Sequence, residues 1–256
     1  MTRLLLIFTF FVLASCSSGK PKQFDSSSLG MLTTDDYVDH LASTGKNYLS
    51  FEEVKTVKLS VGSETFLKAI YERLVSNNQV LLINTAEPKF YFVKHKSPFI
   101  FSLPKGQFFF STALLERYLK SEALFIAAFA AEVLKSSRFI YEKKVLIPLG
   151  YLSTEKMIQL TRLAPENRYQ INEWVYFILK RSGYDASAYL NWIQVQNRNT
   201  LDFSLFLGDA LGISKEEHLF KNFITKQGIT GVEKRITEAN SSREFYKLIN
   251  NVVGKE

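Results

Sequence analysis

Nine consecutive apolar residues, at positions 123–131, constrain the fold more than any other stretch of the sequence. The segment is Ala-Leu-Phe-Ile-Ala-Ala-Phe-Ala-Ala, and Glu132 follows it directly. A helix that is apolar on every side has to be packed against protein on every side, so we predict a buried helix over residues 121–136. A carboxylate near the middle of such a helix needs a partner or a raised pKa. The alternative is that the helix has begun to emerge at Glu132, whose side chain is then simply hydrated.

The first sixteen residues have the layout of an export signal. Arg3 supplies one positive charge, and residues 4–14 form an apolar run that only Thr9 interrupts. The run is too short for a membrane-spanning helix, which needs about 20 residues, but it fits a signal peptide. It ends in Leu-Ala-Ser and then Cys16, the only cysteine, an order that resembles a bacterial lipobox. We predict a lipoprotein signal peptide over residues 1–15 and lipidation of Cys16; the alternative is an ordinary secretory signal with an incidental cysteine.

Residues 16–30 are polar and rich in serine, which predicts a flexible tether. Acyl chains on Cys16 would hold the protein to the lipid bilayer without a spanning helix. The serine after Cys16 resembles the pattern of lipoproteins sorted to the outer membrane, where the protein would face the periplasm. Lysine and arginine outnumber aspartate and glutamate by 32 to 25, giving a formal net charge of +7. In that compartment the excess does not indicate nucleic acid, so we expect no nucleic-acid partner.

Residues 31–256 contain no internal repeat or second linker, so we predict a single domain. Short β-branched and aromatic runs, separated by turns with proline or glycine, predict a small antiparallel sheet. These runs are residues 79–85, 89–94, 98–103 and 107–110. Helical spacing predicts one helix before them, over 61–75, and a mainly helical remainder after Ser111. Strands grouped ahead of helices indicate an α+β fold with a small N-terminal sheet.

Five short segments carry a family resemblance. They are Pro-Phe-Ile-Phe-Ser-Leu-Pro-Lys-Gly (98–106), Gln-Phe-Phe-Phe-Ser-Thr-Ala-Leu-Leu (107–115), Ser-Glu-Ala-Leu (121–124), Arg-Ser-Gly-Tyr-Asp (181–185) and Ser-Lys-Glu-Glu-His (214–218). Their order resembles the HtpX-like and CAAX-prenyl-protease family of zinc metallopeptidases. The resemblance implies a zincin-like metallopeptidase fold, in which a helix with His-Glu-x-x-His and a glutamate on a later helix hold zinc.

The metal ligands of that family do not carry over to this chain. Placed against the family's motif, Ala131 and Lys135 take the positions of the two histidines, and Glu132 takes that of the general base. On the later helix, Arg168 takes the position of the third-ligand glutamate and Asn172 that of an aspartate. A methyl group, an ammonium and a guanidinium cannot coordinate Zn²⁺. We therefore expect no metal, no cofactor and no catalytic residue beyond Glu132 at its inherited position.

Two functions from different classes are compatible with these residues. The first is a membrane-anchored pseudo-peptidase without zinc or catalysis, which binds or helps to assemble an envelope protein or peptide. The second is an active metalloendopeptidase with rearranged ligands, such as Glu132, Glu166 and His218, in which case zinc is the cofactor. The histidines of the chain are His40, His95 and His218, and no two lie close in sequence. This favours a protein that is not an enzyme.

The resemblance also implies a peptide-binding edge. In the family, the strand before the Leu-Pro segment lies along the substrate cleft, which places Phe99, Ile100 and Phe101 where an extended peptide would bind by strand addition. The alternative is that these three residues belong to the core of the sheet.

The last expectation concerns what replaces the metal. Lys135 lies one helical turn beyond Ala131, so it projects from the face that holds zinc in the family. Because a buried Glu132 still needs positive charge beside it, we expect it to pair with Lys135, Arg168 or both. The alternative is that Lys135 extends to solvent and Arg168 pairs elsewhere, for example with Glu166.

Overall fold

Two helices precede the last three strands of the sheet in this computed structural model, and the short first strand lies between them. The structure describes residues 34–141, 150, 152–208, 210–227 and 241–254. Helix α1 (Thr34–Leu49) was not predicted, although Val38, Leu41 and Tyr48 form a buried stripe along it. Helix α2 (Val61–Ser76) confirms the prediction for residues 61–75. The predicted signal peptide, Cys16 and the predicted tether lie outside the described residues.

The sheet has four strands, and it is mixed. They are β1 (Thr56–Val57), β2 (Lys89–Val93), β3 (Ile100–Leu103) and β4 (Gln107–Ser111), in the spatial order β1-β2-β4-β3. The α+β class is confirmed, but the prediction of a wholly antiparallel sheet is wrong, because β2 and β4 pair in parallel. The reason is the order of the strands: β3 takes the outer place, and β4 turns back between β3 and β2. The chain reverses direction between β2 and β3 and again between β3 and β4, so β4 runs in the same direction as β2.

A tight turn makes this arrangement possible. Lys105 and Gly106, between β3 and β4, have φ of 62° and 70°, in the left-handed region that glycine adopts at little cost. The Gly106 carbonyl accepts a hydrogen bond from the Lys89 N–H at the start of β2. A side chain at position 106 would come within 3.0 Å of the Glu87 carbonyl oxygen. The turn therefore closes the β3–β4 hairpin and also fixes where β2 joins β4.

The strand predicted over residues 79–85 is absent, and the segment forms turns instead. Buried Asn78 explains the difference. Its side-chain amide donates to the carbonyls of Leu74 and Ile178 and to the Ser182 hydroxyl, at 2.9–3.2 Å. The backbone carbonyl of Asn78 accepts hydrogen bonds from the backbone N–H groups of residues 81 and 82, both at 2.8 Å. These bonds fold the backbone back on itself before a strand can begin.

Helices dominate the chain after the sheet, as predicted. They are α3 (Thr112–Arg117), α4 (Glu122–Arg138), α5 (Thr154–Thr161), α6 (Pro165–Arg181), α7 (Ser187–Arg198), α8 (Ser204–Leu207), α9 (Ala210–Lys226) and α10 (Arg243–Val253). Ser121 caps α4 by accepting a hydrogen bond from the Leu124 N–H. Among the described residues, no helix has the length and apolar character needed to cross a membrane.

Helix α4 is the buried centre of the fold, as its apolar run predicts. Every residue from Phe125 to Ser137 is buried. Its Phe129 packs edge-on against Phe108 of the sheet, with ring centroids 4.9 Å apart. The opposite face of the sheet is covered by a second cluster that includes residues of α1 and α5. Residues Tyr37–Glu256 form one compact unit; of the other, Met1–Asp36, only the first turn of α1 is described.

Candidate functional site

A cavity of about 50 Å³ lies where helices α4, α6, α7 and α9 meet. Ala131, Glu132 and Lys135 of α4 line it, and so do Arg168 and Asn172 of α6. These are the five positions that the family motif assigns to the metal site. They come from two separate stretches of the sequence, and the packing of α4 against α6 brings them to the same small space.

Glu132 is held by an ion pair within its own helix. The Lys135 ammonium lies 3.0 Å from its Oε1 and 2.9 Å from its Oε2. The Ser102 hydroxyl, on β3, donates a further hydrogen bond of 2.8 Å to Oε2. The exposed fraction is 2% for Glu132 and 4% for Lys135, so both side chains are almost completely buried. The expected pairing with Lys135 is present, and the alternatives of a hydrated Glu132 and of a Lys135 extending to solvent are wrong.

Arg168 is buried as well, but its partner is Glu216 on α9. Its Nε lies 3.5 Å from the Glu216 Oε2, and its Nη1 donates a hydrogen bond of 3.1 Å to the Leu207 carbonyl. Glu166, the partner considered from sequence, is exposed in the first turn of α6. The second cation at the cavity therefore has its own carboxylate, which comes from a different helix.

A chain of hydrogen bonds joins Glu216 to helix α7. The Asn172 amide nitrogen donates to Glu216 Oε1, and the Tyr189 hydroxyl donates to Asn172 Oδ1, both at 2.7 Å. Burial raises the pKa of Glu216 above its usual value, while the Arg168 charge and the Asn172 hydrogen bond oppose that rise. Burial also raises the pKa of the Tyr189 phenol, which therefore stays protonated at neutral pH.

This donor set does not fit a zinc ion. Three cations line the cavity, Lys135, Arg162 and Arg168, against two carboxylates, Glu132 and Glu216. A dication would bring Lys135 and Arg168 an unfavourable charge, and neither can serve as a ligand. The rearranged set is not assembled either: Glu166 and His218 are exposed whereas Glu132 is buried, and within the described ranges no three His, Cys, Asp or Glu side chains cluster.

The same geometry bears on catalysis. A general base needs water within reach of a lone pair, but Glu132 is 2% exposed, and its carboxylate already accepts two hydrogen bonds from the Lys135 ammonium and one from the Ser102 hydroxyl. A serine–lysine pair would need a neutral lysine that accepts the serine proton. Here Ser102 and Lys135 both donate to Glu132, and no hydrogen bond joins the serine hydroxyl to the lysine nitrogen. These contacts therefore do not form a serine–lysine pair.

Phe99, Ile100 and Phe101 lie in or beside β3, the outermost strand on its side of the sheet. Their exposed fractions are 0–2%. Ile100 faces α4 and lines the cavity, whereas Phe99 and Phe101 pack into the cluster on the opposite face. All three side chains are core residues, so contact with a peptide along this strand would have to involve its backbone.

Sequence reasoning missed Ser102, Tyr189 and the part played by Glu216. One signal was available for Glu216, because it lies four residues before Phe220, a buried position on the same face of α9. The other two are single polar residues in apolar segments, and nothing local distinguishes them. No family model matches this chain, and no curated protein does.

Proposed function

We propose that this chain is a membrane-anchored envelope lipoprotein with a zincin-like, HtpX-like domain in which ion pairs have replaced zinc, and that it binds rather than cleaves its partner. One observation carries the proposal: the Lys135 ammonium contacts both oxygens of Glu132, the residue at the general-base position. An ammonium has no open coordination position and cannot lower the pKa of a bound water as zinc does.

The two ion pairs beside the cavity support this assignment. In a zinc peptidase, the metal compensates for a glutamate ligand and a glutamate base buried side by side. Here Lys135 and Arg168 supply two positive charges in place of one dication, and Glu132 and Glu216 supply the two carboxylates. A dication lost by substitution leaves buried carboxylates that need new counter-charges. The pairs satisfy that need without a metal.

The partner we propose is an extended segment of an envelope protein or peptide, bound along β3. Among the described strands, β3 is outermost on its side of the sheet and pairs on one side with β4. Strand addition uses main-chain hydrogen bonds, so it does not require exposed side chains at Phe99, Ile100 or Phe101. The lipid bilayer, through acylated Cys16, is the second partner.

Metal content and proteolysis, measured on the mature purified chain, test the proposal. We expect zinc well below one atom per chain after equilibration with excess zinc and gel filtration. We also expect no casein hydrolysis above that of the heat-denatured protein. One bound zinc per chain, together with casein hydrolysis that a chelator abolishes, would establish the metalloendopeptidase with rearranged ligands instead.

Replacing Cys16 tests the anchor independently of the site. Cys16→Ala removes the thiol that carries the lipid, so the chain should remain unprocessed or leave the membrane fraction. Fractionation and the intact mass of the protein measure both effects. Ser17→Ala is the matched control and should stay with the membranes, because it keeps the cysteine. Unchanged fractionation and mass in Cys16→Ala would mean that the chain is anchored in another way or not at all.

A further inference from the structure

Arg162 is a third cation at the cavity, and it has no counter-charge. It follows the last residue of α5 and lines the cavity together with the two ion pairs. Lys135 is matched by Glu132, and Arg168 is matched by Glu216. The Arg162 guanidinium makes no ion pair or hydrogen bond with any described residue. The three cations and two carboxylates that line the cavity therefore leave one positive charge uncompensated.

The Arg162 guanidinium lies against the backbone at Gly208. A β-carbon at position 208 would come within 3.1 Å of its Nη1 and 3.4 Å of its Cζ, so a glycine there leaves room for the charged group. Arg162 is partly exposed, and none of its nitrogens belongs to the fully enclosed atoms that lack a partner, as Arg168 Nε does. A guest in the cavity can therefore reach its N–H groups.

Gln196, on α7, supplies a second unused donor. Its side chain lines the cavity and is 4% exposed. The side-chain amide makes no hydrogen bond with any described residue, yet neither its nitrogen nor its oxygen is fully enclosed. Buried side-chain amides are normally satisfied by protein or by water, so an amide in this state indicates a partner that occupies the cavity. A neutral N–H donor and an uncompensated cation thus border the same space.

We propose that this cavity binds a carboxylate group. The Arg162 guanidinium donates charge-assisted hydrogen bonds to it, and the Gln196 amide nitrogen donates another. One water molecule needs roughly 10–15 Å³, so a cavity of about 50 Å³ holds about three waters, which matches a carboxylate carbon with its two oxygens. The inference rests on the binding role proposed above and deepens it by naming the group that enters the site.

The uncompensated charge selects among guests of similar size. A carboxylate brings the one negative charge that the lining side chains lack. A carboxamide has the same shape but no charge, so its hydrogen bonds with Arg162 are weaker. An ammonium would meet a guanidinium of the same sign and would lose its hydration without compensation. A phosphate or sulfate dianion is larger and carries twice the charge that is uncompensated.

Titration of the folded mature protein with acetate tests the inference, followed through the Arg162 Nε–Hε and Gln196 side-chain amide resonances. The protein is first freed of metal ions on a chelating resin, so that no response comes from acetate bound to zinc. Acetate, exchanged for chloride at constant ionic strength, should shift both resonances saturably. Acetamide and methylammonium should bind at least about tenfold more weakly, because neither brings a negative charge.

Two further probes identify the source of the carboxylate. Acetylglycine carries it at the end of a peptide unit, and acetylglutamate amide carries it on a side chain. Binding of acetate alone indicates a free small acid. Additional binding of acetylglycine indicates the C-terminus of a partner, and additional binding of the blocked glutamate indicates an acidic side chain. Each of these outcomes supports a carboxylate guest and names its origin.

Arg162→Gln removes the charge without breaking an ion pair or hydrogen bond to any described residue, so we expect it to fold. It should bind acetate at least about tenfold more weakly than the wild type. Arg181→Gln, at an exposed position in the last turn of α6, is the matched control and should bind acetate as the wild type does.

Two results would overturn the inference. One is a wild type in which acetate shifts neither resonance, and the other is equal acetate binding by the wild type and the folded Arg162→Gln variant. Both would leave the expected absence of zinc and of casein hydrolysis unaffected, so this inference can fail while the proposed function stands. Conversely, bound zinc with chelator-sensitive hydrolysis would refute the proposed function whatever acetate does.

Discussion

Glu132→Ala should lower the free energy of unfolding by roughly 3–5 kcal/mol, because it leaves the Lys135 ammonium buried without its counter-charge. Lys135 is 4% exposed, and both of its described hydrogen bonds go to Glu132. Ser102 loses its acceptor in the same step. For a domain of this size the loss corresponds to a melting temperature lower by roughly 6–20 °C. Thermal and urea unfolding, followed by circular dichroism, measure it.

Two further variants test whether the unpaired Lys135 ammonium, rather than lost packing, causes the loss of stability. Glu173→Ala removes a carboxylate from an exposed position on α6 and should change stability by less than about 0.5 kcal/mol. The double variant Glu132→Leu/Lys135→Met replaces the buried pair with apolar side chains of similar length. It should recover most of the lost stability, because no charge is stranded. A double variant as unstable as Glu132→Ala would show that packing, rather than the unpaired ammonium, accounts for the loss.

The same variants distinguish a pseudo-peptidase from an active metalloendopeptidase. If Glu132 is a structural counter-ion, Glu132→Ala changes stability, and casein hydrolysis is absent both before and after the substitution. If Glu132 is a working general base, the substitution abolishes a measurable activity with little loss of stability. A stable, inactive Glu132→Ala derived from an active wild type would therefore contradict our proposal directly.

The central helix could be predicted from the sequence because its signal is local. Nine apolar residues in succession leave no polar face, so burial of α4 follows from composition alone. Helix α1 has a similarly local signal in Val38, Leu41 and Tyr48, which its polar neighbours obscured. Helical periodicity and helix caps involve residues only a few positions apart, so they can be recognised without knowing how the rest of the chain folds.

The order of the strands could not be predicted, because it depends on pairings between distant segments. The aromatic runs at β2 and β4 are equally compatible with parallel and antiparallel neighbours. The direction of the pairing depends on the position of β4 between β2 and β3. There, Phe92 of β2 stacks on Phe110 of β4 with ring centroids 4.9 Å apart. The strand predicted at residues 79–85 does not form, for a related reason. Its conformation is set by Asn78, whose partners Ile178 and Ser182 lie about a hundred residues further along the chain.

In the candidate site, too, the contact between neighbouring residues could be predicted and the contact between distant helices could not. The pairing of Glu132 with Lys135 lies within one helical turn, so spacing alone brings the two together. The partner of Arg168 was not predictable, since Glu216 belongs to a helix that the sequence does not connect with α6. Burial adds a second difficulty: a glutamate in an ordinary amphipathic segment is expected to face water, and Glu216 does not.

Introducing the zinc ligands of the family that the sequence resembles should create a zinc site in this chain. Ala131→His and Lys135→His place two imidazoles about 6 Å apart along one face of α4, and Arg168→Glu adds a carboxylate from α6. All three positions line the same cavity. The triple variant should bind one zinc per chain, as measured by metal analysis after gel filtration. Free zinc at about 100 times the dissociation constant should raise its melting temperature by roughly 5–11 °C.

The matched control moves one histidine by a single turn. Ala128 also lines the cavity, but it is two turns from position 135, about 10 Å along the helix, which is too far for both imidazoles to reach one metal. Ala128→His/Lys135→His/Arg168→Glu has the same composition as the restored variant and should gain much less stability from zinc. If the two folded variants respond equally to zinc, positions 131, 135 and 168 do not have the geometry of a metal site. The pairs at Glu132 and Arg168 would then be ordinary buried ion pairs with no metal ancestor.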